Sequence, residues 1–176
     1  THISIFMRHL LVARFESSVA AFQASLEYMI RSSEHMLKWI GKRNKIPVFK
    51  KGNLPDVDAF YESSEDGMQE IEDLFEKYEA KGFFEIDMKY VKDDFVKDVK
   101  AGIQLLKNLR EQWFGKDNTI KEDPKLDSFI RIILKQMKDE PNRKLVVFSE
   151  FADTVNYLGK ALVDAGLPVM KYASAD

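Results

Sequence analysis

The sequence predicts a mostly α-helical protein with a small α/β end, and two observations support this fold class. Over the first 121 residues, apolar side chains recur at steps of three and four, the period of helices that bury one face. Near the C-terminus, two short apolar runs flank an amphipathic segment, which is the order strand, helix, strand. We therefore expect long antiparallel helices in a domain over 1–121 and a small α/β domain over 122–176.

The first segment predicts a single long helix over residues 3–40. Its apolar stripe has one polar position, Ser33, and Gly41 is the expected C-cap. A stripe of this kind is typical of two packed antiparallel helices or a coiled coil. Its members are Val12, Phe15, Val19, Phe22, Leu26, Met29, Met36 and Ile40.

The middle of the chain predicts a loop and two further helices. Residues 38–55 contain two glycines and two prolines, which indicates irregular structure. An acidic helix is expected between Ser63 and Gly82, and the apolar patch at 83–86 is left without an assignment. A strong helix follows over 95–113, and its apolar face makes it a natural partner for the first helix.

The pattern in the last third of the sequence predicts the order helix, strand, helix, strand. Asp123 and Pro124 supply an N-cap and a proline at the first helical position. The apolar run at 145–148 is typical of a strand that is covered on both faces. A helix ending at Gly166 and a strand at 169–172 follow, and this order favours a parallel pair with a right-handed crossover.

The composition restricts the class of protein. The chain has no cysteine, so disulfides and cysteine-based zinc sites are excluded. No run of 18 apolar residues occurs, so we expect no membrane span and no membrane partner. The first 15 residues lack the features of a signal peptide, and we expect a cytoplasmic protein. The sequence does not begin with methionine, which suggests a processed or excised piece.

The net charge of −2 conceals a strong asymmetry along the chain. Residues 1–55 carry nine basic and three acidic side chains, whereas residues 56–98 carry five basic and fifteen acidic ones. Such segregation favours either a face that binds a polyanion or a basic segment that docks on the chain's own acidic segment. The candidate phosphate-binding cations are Lys38, Lys42, Arg43, Lys45, Lys50 and Lys51, with Trp39 and Phe49 available for stacking or anchoring.

Catalytic motifs are missing from the sequence. The three histidines are scattered, and neither a glycine-rich phosphate loop nor a G-x-S-x-G elbow occurs. We therefore predict no catalytic, cofactor-binding or metal-binding residue. Ser149 and Glu150 follow the predicted strand at 145–148, at the edge of a sheet where ligands bind. Ser149 either caps the following helix or, with Glu150, faces a ligand at that edge.

Two segments resemble superfamily-two helicases, and especially the Swi/Snf-type translocases. Residues 11–22, LVARFESSVAAF, are similar to an L-x-x-R-x-E-S-S-x-x-A-F helix that lies between the two lobes of bacterial members. Residues 143–158, RKLVVFSEFADTVNYL, resemble motif IV of the second RecA-like lobe and the helix after it, and KLDSF at 125–129 resembles the preceding helix. The resemblance covers residues 8–30 and 123–172.

The resemblance implies a piece of an ATP-dependent DNA helicase or translocase. Residues 1–121 would be the interlobe helical region, and 122–176 would begin a truncated RecA-like lobe. The partners would be nucleic acid, with DNA favoured, and the rest of the helicase chain. The resemblance also implies that Ser149 and Glu150 face the nucleic acid or the cleft between the lobes. ATP and Mg²⁺ are implied for the parent, but this sequence lacks the G-K-[ST] and D-E-x-H motifs, so the piece alone should not hydrolyse ATP.

The pattern leaves one alternative open, a non-catalytic helical module that binds a protein partner. The long apolar stripe and the acidic segment favour it. In either case, two parallel strands alone leave both sheet edges uncovered. We therefore expect the chain either to form a homodimer or to pack its α/β end on its own helices.

Overall fold

A computed structural model of the chain describes residues 2–49, 77, 79, 80 and 82–172. The described part is mostly helical with one small sheet, which confirms the predicted class at that level. The elements are α1 (His2–Ser17), α2 (Val19–Arg43), β1 (Lys45–Phe49), β2 (Phe83–Asp87), a 3₁₀ turn (Met88–Tyr90), α3 (Phe95–Phe114), α4 (Pro124–Asp139) and α5 (Ala152–Asp164). The predicted acidic helix lies almost entirely outside the described residues.

The chain forms two compact units, each of which is described separately below. Unit 1 comprises Thr1–Leu26 and Arg110–Asp176, and unit 2 comprises Glu27–Leu109. The predicted domains, 1–121 and 122–176, follow the resemblance to helicase lobes and stay a prediction. None of the described helices is both long enough and apolar enough to cross a membrane.

In unit 1, the predicted long helix is interrupted at Ser18, so the expectation of one helix over 3–40 is wrong. The Ser18 hydroxyl accepts a hydrogen bond from the Ala21 amide at 3.0 Å, as the N-cap of α2 does. The Lys125 ammonium donates to the carbonyl oxygens of Glu16 and Ser17 at the end of α1. Both helix ends at the break therefore have partners for backbone groups that the break leaves unpaired.

In unit 2, α2 continues past Gly41, so the predicted C-cap at that glycine is wrong. The helix ends at Arg43, and Asn44 adopts a left-handed conformation with a φ of 55°. The Asn44 amide still donates to the Ile40 carbonyl at 2.8 Å. Asparagine tolerates this conformation better than most residues, and a cationic last turn suits the negative end of the helix.

The sheet of unit 2 occupies segments that were predicted as a loop or left unassigned. Strands β1 and β2 are antiparallel, with Pro47 opposite Glu85 and Phe49 opposite Phe83. Pro47 and Phe83 are buried on one face. Proline cannot donate to a ladder, but in a two-stranded sheet it can direct its nitrogen away from the partner strand. The expectation of irregular structure over 38–55 is therefore wrong for residues 38–49.

Helix α3 confirms its prediction closely. It spans Phe95–Phe114 and is followed by Gly115 at a φ of 70°. In unit 1, its last turn packs on α2, with Phe22 and Trp113 ring centroids 5.9 Å apart in an edge-to-face arrangement. In unit 2, Lys107 forms an ion pair with Glu34 of α2 at 2.5 Å. The expected pairing of this helix with the first apolar stripe is thus present in unit 1, where Trp113 packs on Phe22.

Helix α4 begins, and helix α5 ends, where the caps predict. The Asp123 carboxylate accepts from the Leu126 amide at 2.9 Å, and Pro124 begins α4. Gly166 has a φ of 84° after α5. The amides of Gly166 and Leu167 donate to the carbonyls of Val163 and Leu162, at 2.9 and 3.0 Å, which is a Schellman motif.

The two strands predicted in unit 1 are not formed, so the expected strand-helix-strand unit is wrong for the residues that the structure describes. Residues 145–148 and 169–172 contain no assigned strand. Phe148, Met170 and Tyr172 are 91%, 95% and 94% exposed. The prediction took continuous apolar character as a sign of burial on both faces. A strand also needs a neighbouring backbone, and neither segment pairs with another strand in the described structure.

The contrasting positions of Gly41 and Gly166 give a testable pair of substitutions. Replacing Gly41 by alanine should stabilise the chain by about 1 kcal/mol, because the site is helical and an added Cβ meets no atom within 4 Å. Replacing Gly166 by alanine should destabilise it by about 1 kcal/mol, because its φ is positive. Urea denaturation followed by circular dichroism measures both changes. Destabilisation by Gly41→Ala would contradict the helical assignment at that position.

Candidate functional site

A buried cluster of three hydroxyl groups joins the break between α1 and α2 to the first turn of α5 in unit 1. Thr154 Oγ1 lies 2.8 Å from Ser17 Oγ and 2.8 Å from Ser18 Oγ. Thr154 is 3% exposed and Ser18 is 5% exposed. Each hydroxyl can donate one hydrogen bond and accept others, so the cluster satisfies polar groups that burial would otherwise leave unpaired.

Arg14 makes three contacts beside this hydroxyl cluster. Its guanidinium forms an ion pair with Asp153. The same group lies over the Phe151 ring, 4.8 Å from the centroid. Its Nε donates to the Ala21 carbonyl at 3.2 Å, on the far side of the helix break. Arginine suits this position because its planar group can stack and donate in several directions at once.

Ser149 lies next to the hydroxyl cluster, and Glu150 lies at the surface. Ser149 Oγ accepts from the Phe151 amide at 3.2 Å and is 3.4 Å from Ser17 Oγ. The N-cap of α5 is Phe151, which makes no side-chain cap bond, so the interpretation of Ser149 as the helix cap is wrong. Ser149 instead closes a short turn before the helix. Glu150 is exposed.

These contacts bring together the two segments that resemble the helicase family. Arg14, Ser17 and Ser18 belong to the first segment, 11–22. Ser149, Phe151, Asp153 and Thr154 belong to the second segment, 143–158. The sequence alone does not indicate that they touch, because more than 100 residues separate them. The adjacent serines were a usable signal, since serine is a preferred N-cap and can end a helix that the apolar stripe appears to continue.

A second buried polar contact joins the start of α4 to α5. The Tyr157 hydroxyl donates to the Asp123 carboxylate at 3.1 Å, and the same carboxylate caps α4. Burial is the main factor that raises the pKa of Tyr157, to about 12, and the negative charge of Asp123 adds to the effect. The phenol therefore stays neutral over the whole physiological range and acts as a donor.

Two of the predicted phosphate-binding cations, Arg43 and Lys45, meet at one carboxylate in unit 2. Arg43 Nε and Nη2 donate to the two oxygens of Glu85 at 2.6 and 2.9 Å. Lys45 Nζ donates to Glu85 at 3.2 Å, and Trp39 Nε1 donates at 2.6 Å. Glu85 belongs to the acidic segment, so the docking of basic residues on that segment is present for these two side chains.

The ionisation of Glu85 reflects two opposing effects. Burial opposes the charged form and by itself raises the pKa of the carboxyl group. Hydrogen bonds from Arg43, Trp39 and Lys45 outweigh it, so the pKa lies below its ordinary value. Glu85 is therefore an anion at neutral pH, and it is matched by two cations.

The structure describes two of the four other predicted cations. Lys38 and Lys42 are exposed on α2, one helical turn apart. Lys50 and Lys51 lie outside the described residues. Trp39 packs edge-on against Phe83, with centroids 5.4 Å apart, so it anchors the sheet to α2 within unit 2.

An open apolar groove of about 840 Å³ lies in unit 1, between α4, α5 and the segments 143–149 and 167–172. Its walls include Phe129, Ile133, Leu158 and Leu162, with Arg143, Lys144 and Lys171 also lining it. Among the described residues, no acidic side chain lines it. Within the described ranges, no three histidine, aspartate or glutamate side chains are arranged to hold a metal ion.

Comparison of the chain with known protein families, curated proteins and solved structures finds no match. The function must therefore be argued from the residues and contacts described above. Two arrangements carry that argument. One is the buried contact between the two helicase-like segments, and the other is the set of cations around Glu85.

The buried hydroxyl cluster predicts a sharp response to substitution at Thr154. Replacing Thr154 by valine keeps the shape but removes the hydrogen bonds that its hydroxyl makes with Ser17 and Ser18, and should destabilise unit 1 by about 1–3 kcal/mol. Replacing it by serine keeps the hydroxyl and should cost less. Thermal denaturation of the two variants provides the measurement. Equal stability of the valine and serine variants would contradict a role for the hydroxyl.

Tyr157 predicts a loss of stability in alkaline solution. The phenol ionises in the unfolded chain before it ionises in the folded chain, whose pKa is about 12. The folded state then holds more protons, so its free energy of unfolding falls as pH rises above the ordinary range of tyrosine. Tyr157→Phe should remove this part of the pH dependence. Urea denaturation at increasing pH measures this dependence, and Tyr90→Phe is the exposed control. If the free energy of unfolding falls with pH equally in the wild type and in Tyr157→Phe, the raised pKa of Tyr157 is refuted.

Proposed function

We propose that this chain is part of an ATP-dependent DNA translocase of the Swi/Snf type. In this proposal, residues 1–121 supply the helical region between two lobes. Residues 122–176 supply motif IV and the beginning of the second RecA-like lobe. ATP and Mg²⁺ are implied for the whole protein, and no residue of this chain is proposed to bind either of them.

The observation that carries the proposal is the contact between two segments that resemble the same family. Each segment resembles the family through its own residues, and the resemblance does not require that they touch. The contact is made by the family-like polar residues themselves, including Ser17, Ser18 and Thr154. A protein that uses both segments has a physical reason to contain them together, because each satisfies buried polar groups of the other.

In such a translocase the contact would attach the interlobe helices to the second lobe. Ser149 lies in the segment that resembles motif IV, and its hydroxyl lies beside that of Ser17. A displacement of this segment would therefore act directly on the end of α1. Arg14 spans the helix break, because it contacts Asp153 on α5 and the Ala21 carbonyl on α2. We propose that the part of the helical region that lies in unit 1 follows the second lobe during translocation.

DNA binding is proposed for the exposed cations of α2. Lys38 and Lys42 lie one turn apart and can neutralise adjacent backbone phosphates. Contacts of this kind are independent of base sequence and weaken steeply as salt displaces them. Glu150 is exposed at the end of the motif IV segment, where it stays a predicted nucleic-acid contact.

The proposal predicts salt-dependent binding of duplex DNA by this chain. Replacing both Lys38 and Lys42 by glutamate should weaken binding and lower the slope of log K against log salt by about two. Fluorescence anisotropy of a labelled duplex over a salt series measures the slope. The matched control is the same double replacement at Lys135 and Lys138, which are exposed on α4.

Two outcomes would contradict this DNA-binding proposal. One is the absence of binding at low salt, and the other is an equal loss of affinity in the α4 control. In the full-length protein, duplex DNA should also stimulate ATP hydrolysis. Hydrolysis that does not respond to DNA would refute the assignment to a DNA translocase, even if the isolated chain binds DNA.

A second candidate function is a non-catalytic helical module that binds a protein. It is favoured by the segments 143–149 and 167–172. Their large apolar side chains, including Phe148 and Met170, are almost fully exposed. Exposed apolar groups that lie close together are typical of interaction surfaces. This candidate predicts no DNA binding at low salt, together with self-association in light scattering that Phe148→Ser abolishes. A strict monomer would remove the homodimer from consideration.

A further inference from the structure

Glu85 accepts hydrogen bonds from a group of donors of the kind that binds phosphate in other proteins. Arg43 offers two parallel N–H groups, Lys45 offers an ammonium group, and Trp39 offers an indole N–H. A bidentate guanidinium beside a lysine is a common way to bind phosphate oxygens.

The donor set can be reached from solvent on the side of its cations. The Lys45 side chain is 41% exposed and that of Arg43 is 24% exposed, whereas that of Glu85 is only 11% exposed. Lys45 begins β1, immediately after α2 has ended at Arg43. A phosphate that approaches from solvent would therefore meet the two cations before it met the carboxylate or the indole.

Glu85 holds these cations by virtue of its position on the neighbouring strand. It lies opposite Pro47 in the sheet, on the same face as Lys45 and Phe83. Being part of the same folded unit gives the carboxylate a high effective concentration at the donors, so an external anion must displace it. A DNA backbone, whose neighbouring phosphates contact other cations at the same time, can compete where a single free phosphate cannot.

We propose that Glu85 is an internal competitor of the DNA backbone for Arg43 and Lys45, and that it keeps these two cations from contributing to binding. This inference rests on the proposed function, because it takes nucleic-acid phosphate as the ligand. While Glu85 holds Arg43 and Lys45, DNA is bound by Lys38 and Lys42 without them. When a DNA phosphate displaces Glu85, all four cations contribute.

The test is the DNA affinity of the Glu85→Gln variant of this chain. Glutamine keeps the size of the side chain and one acceptor oxygen but removes the charge that holds the cations. Its affinity for a labelled duplex should rise by about tenfold or more, and its salt slope should steepen by up to about two, one for each released cation. Glu79→Gln, an exposed position with the same charge change, is the matched control.

Lys45→Gln provides a second arm of the experiment. In the wild-type chain this substitution should change DNA affinity little, because Lys45 already donates its hydrogen bond to Glu85. In the Glu85→Gln chain it should remove much of the gain, and such non-additivity is the signature of the proposed competition. If Glu85→Gln does not fold, as judged by circular dichroism, Glu85→Asp is used, because it keeps the charge but shortens the side chain and should give a smaller gain.

The outcomes separate this inference from the proposed function. Equal affinities of Glu85→Gln (or of Glu85→Asp in its place) and Glu79→Gln, with a wild-type chain that binds DNA through Lys38 and Lys42, would overturn the internal competition alone. Additive effects of Lys45→Gln in the two backgrounds would overturn it as well. Absence of DNA binding by every variant at low salt would overturn both proposals.

Discussion

The structure of unit 1 depends on one buried hydroxyl, that of Thr154. It accepts or donates hydrogen bonds with Ser17 and Ser18, which lie more than 130 residues earlier in the chain. The contact is possible only because the helix is interrupted at Ser18, which exposes the serine hydroxyls at a helix end rather than along a helix side. The break, the cap of α2 and the attachment of α5 are therefore parts of a single arrangement, and a change in one of them affects the others.

Unit 2 has a comparable constraint at Glu85. A partly buried carboxylate is unfavourable unless donors surround it, and here the donors come from α2 and from β1. The same contacts that satisfy Glu85 tie the end of the helix to the sheet. They also hold two cations of the basic segment, Arg43 and Lys45, at one carboxylate.

Local chemistry accounts for the features that could be predicted. Asp123 and Gly166 act as caps because their preferences involve only a few neighbouring residues. The predicted single helix over 3–40 is wrong because Ser18 interrupts it and caps α2. The predicted C-cap at Gly41 is wrong because Asn44, in a left-handed conformation, follows the end of α2. The predicted strand at 145–148 is wrong for a different reason. Its apolar composition permits a strand, but strand formation requires a second backbone, which no local pattern can supply.

The sequence by itself determined the helical class, the apolar stripes, most of the helix ends and the two segments that resemble a helicase. These properties follow from periodicity and from short-range hydrogen bonding. Only the tertiary structure decided that the two segments meet at Thr154, and that Arg43 and Lys45 share Glu85. Both contacts join residues far apart in the chain, and their formation depends on how whole elements pack and not on any pattern within one element.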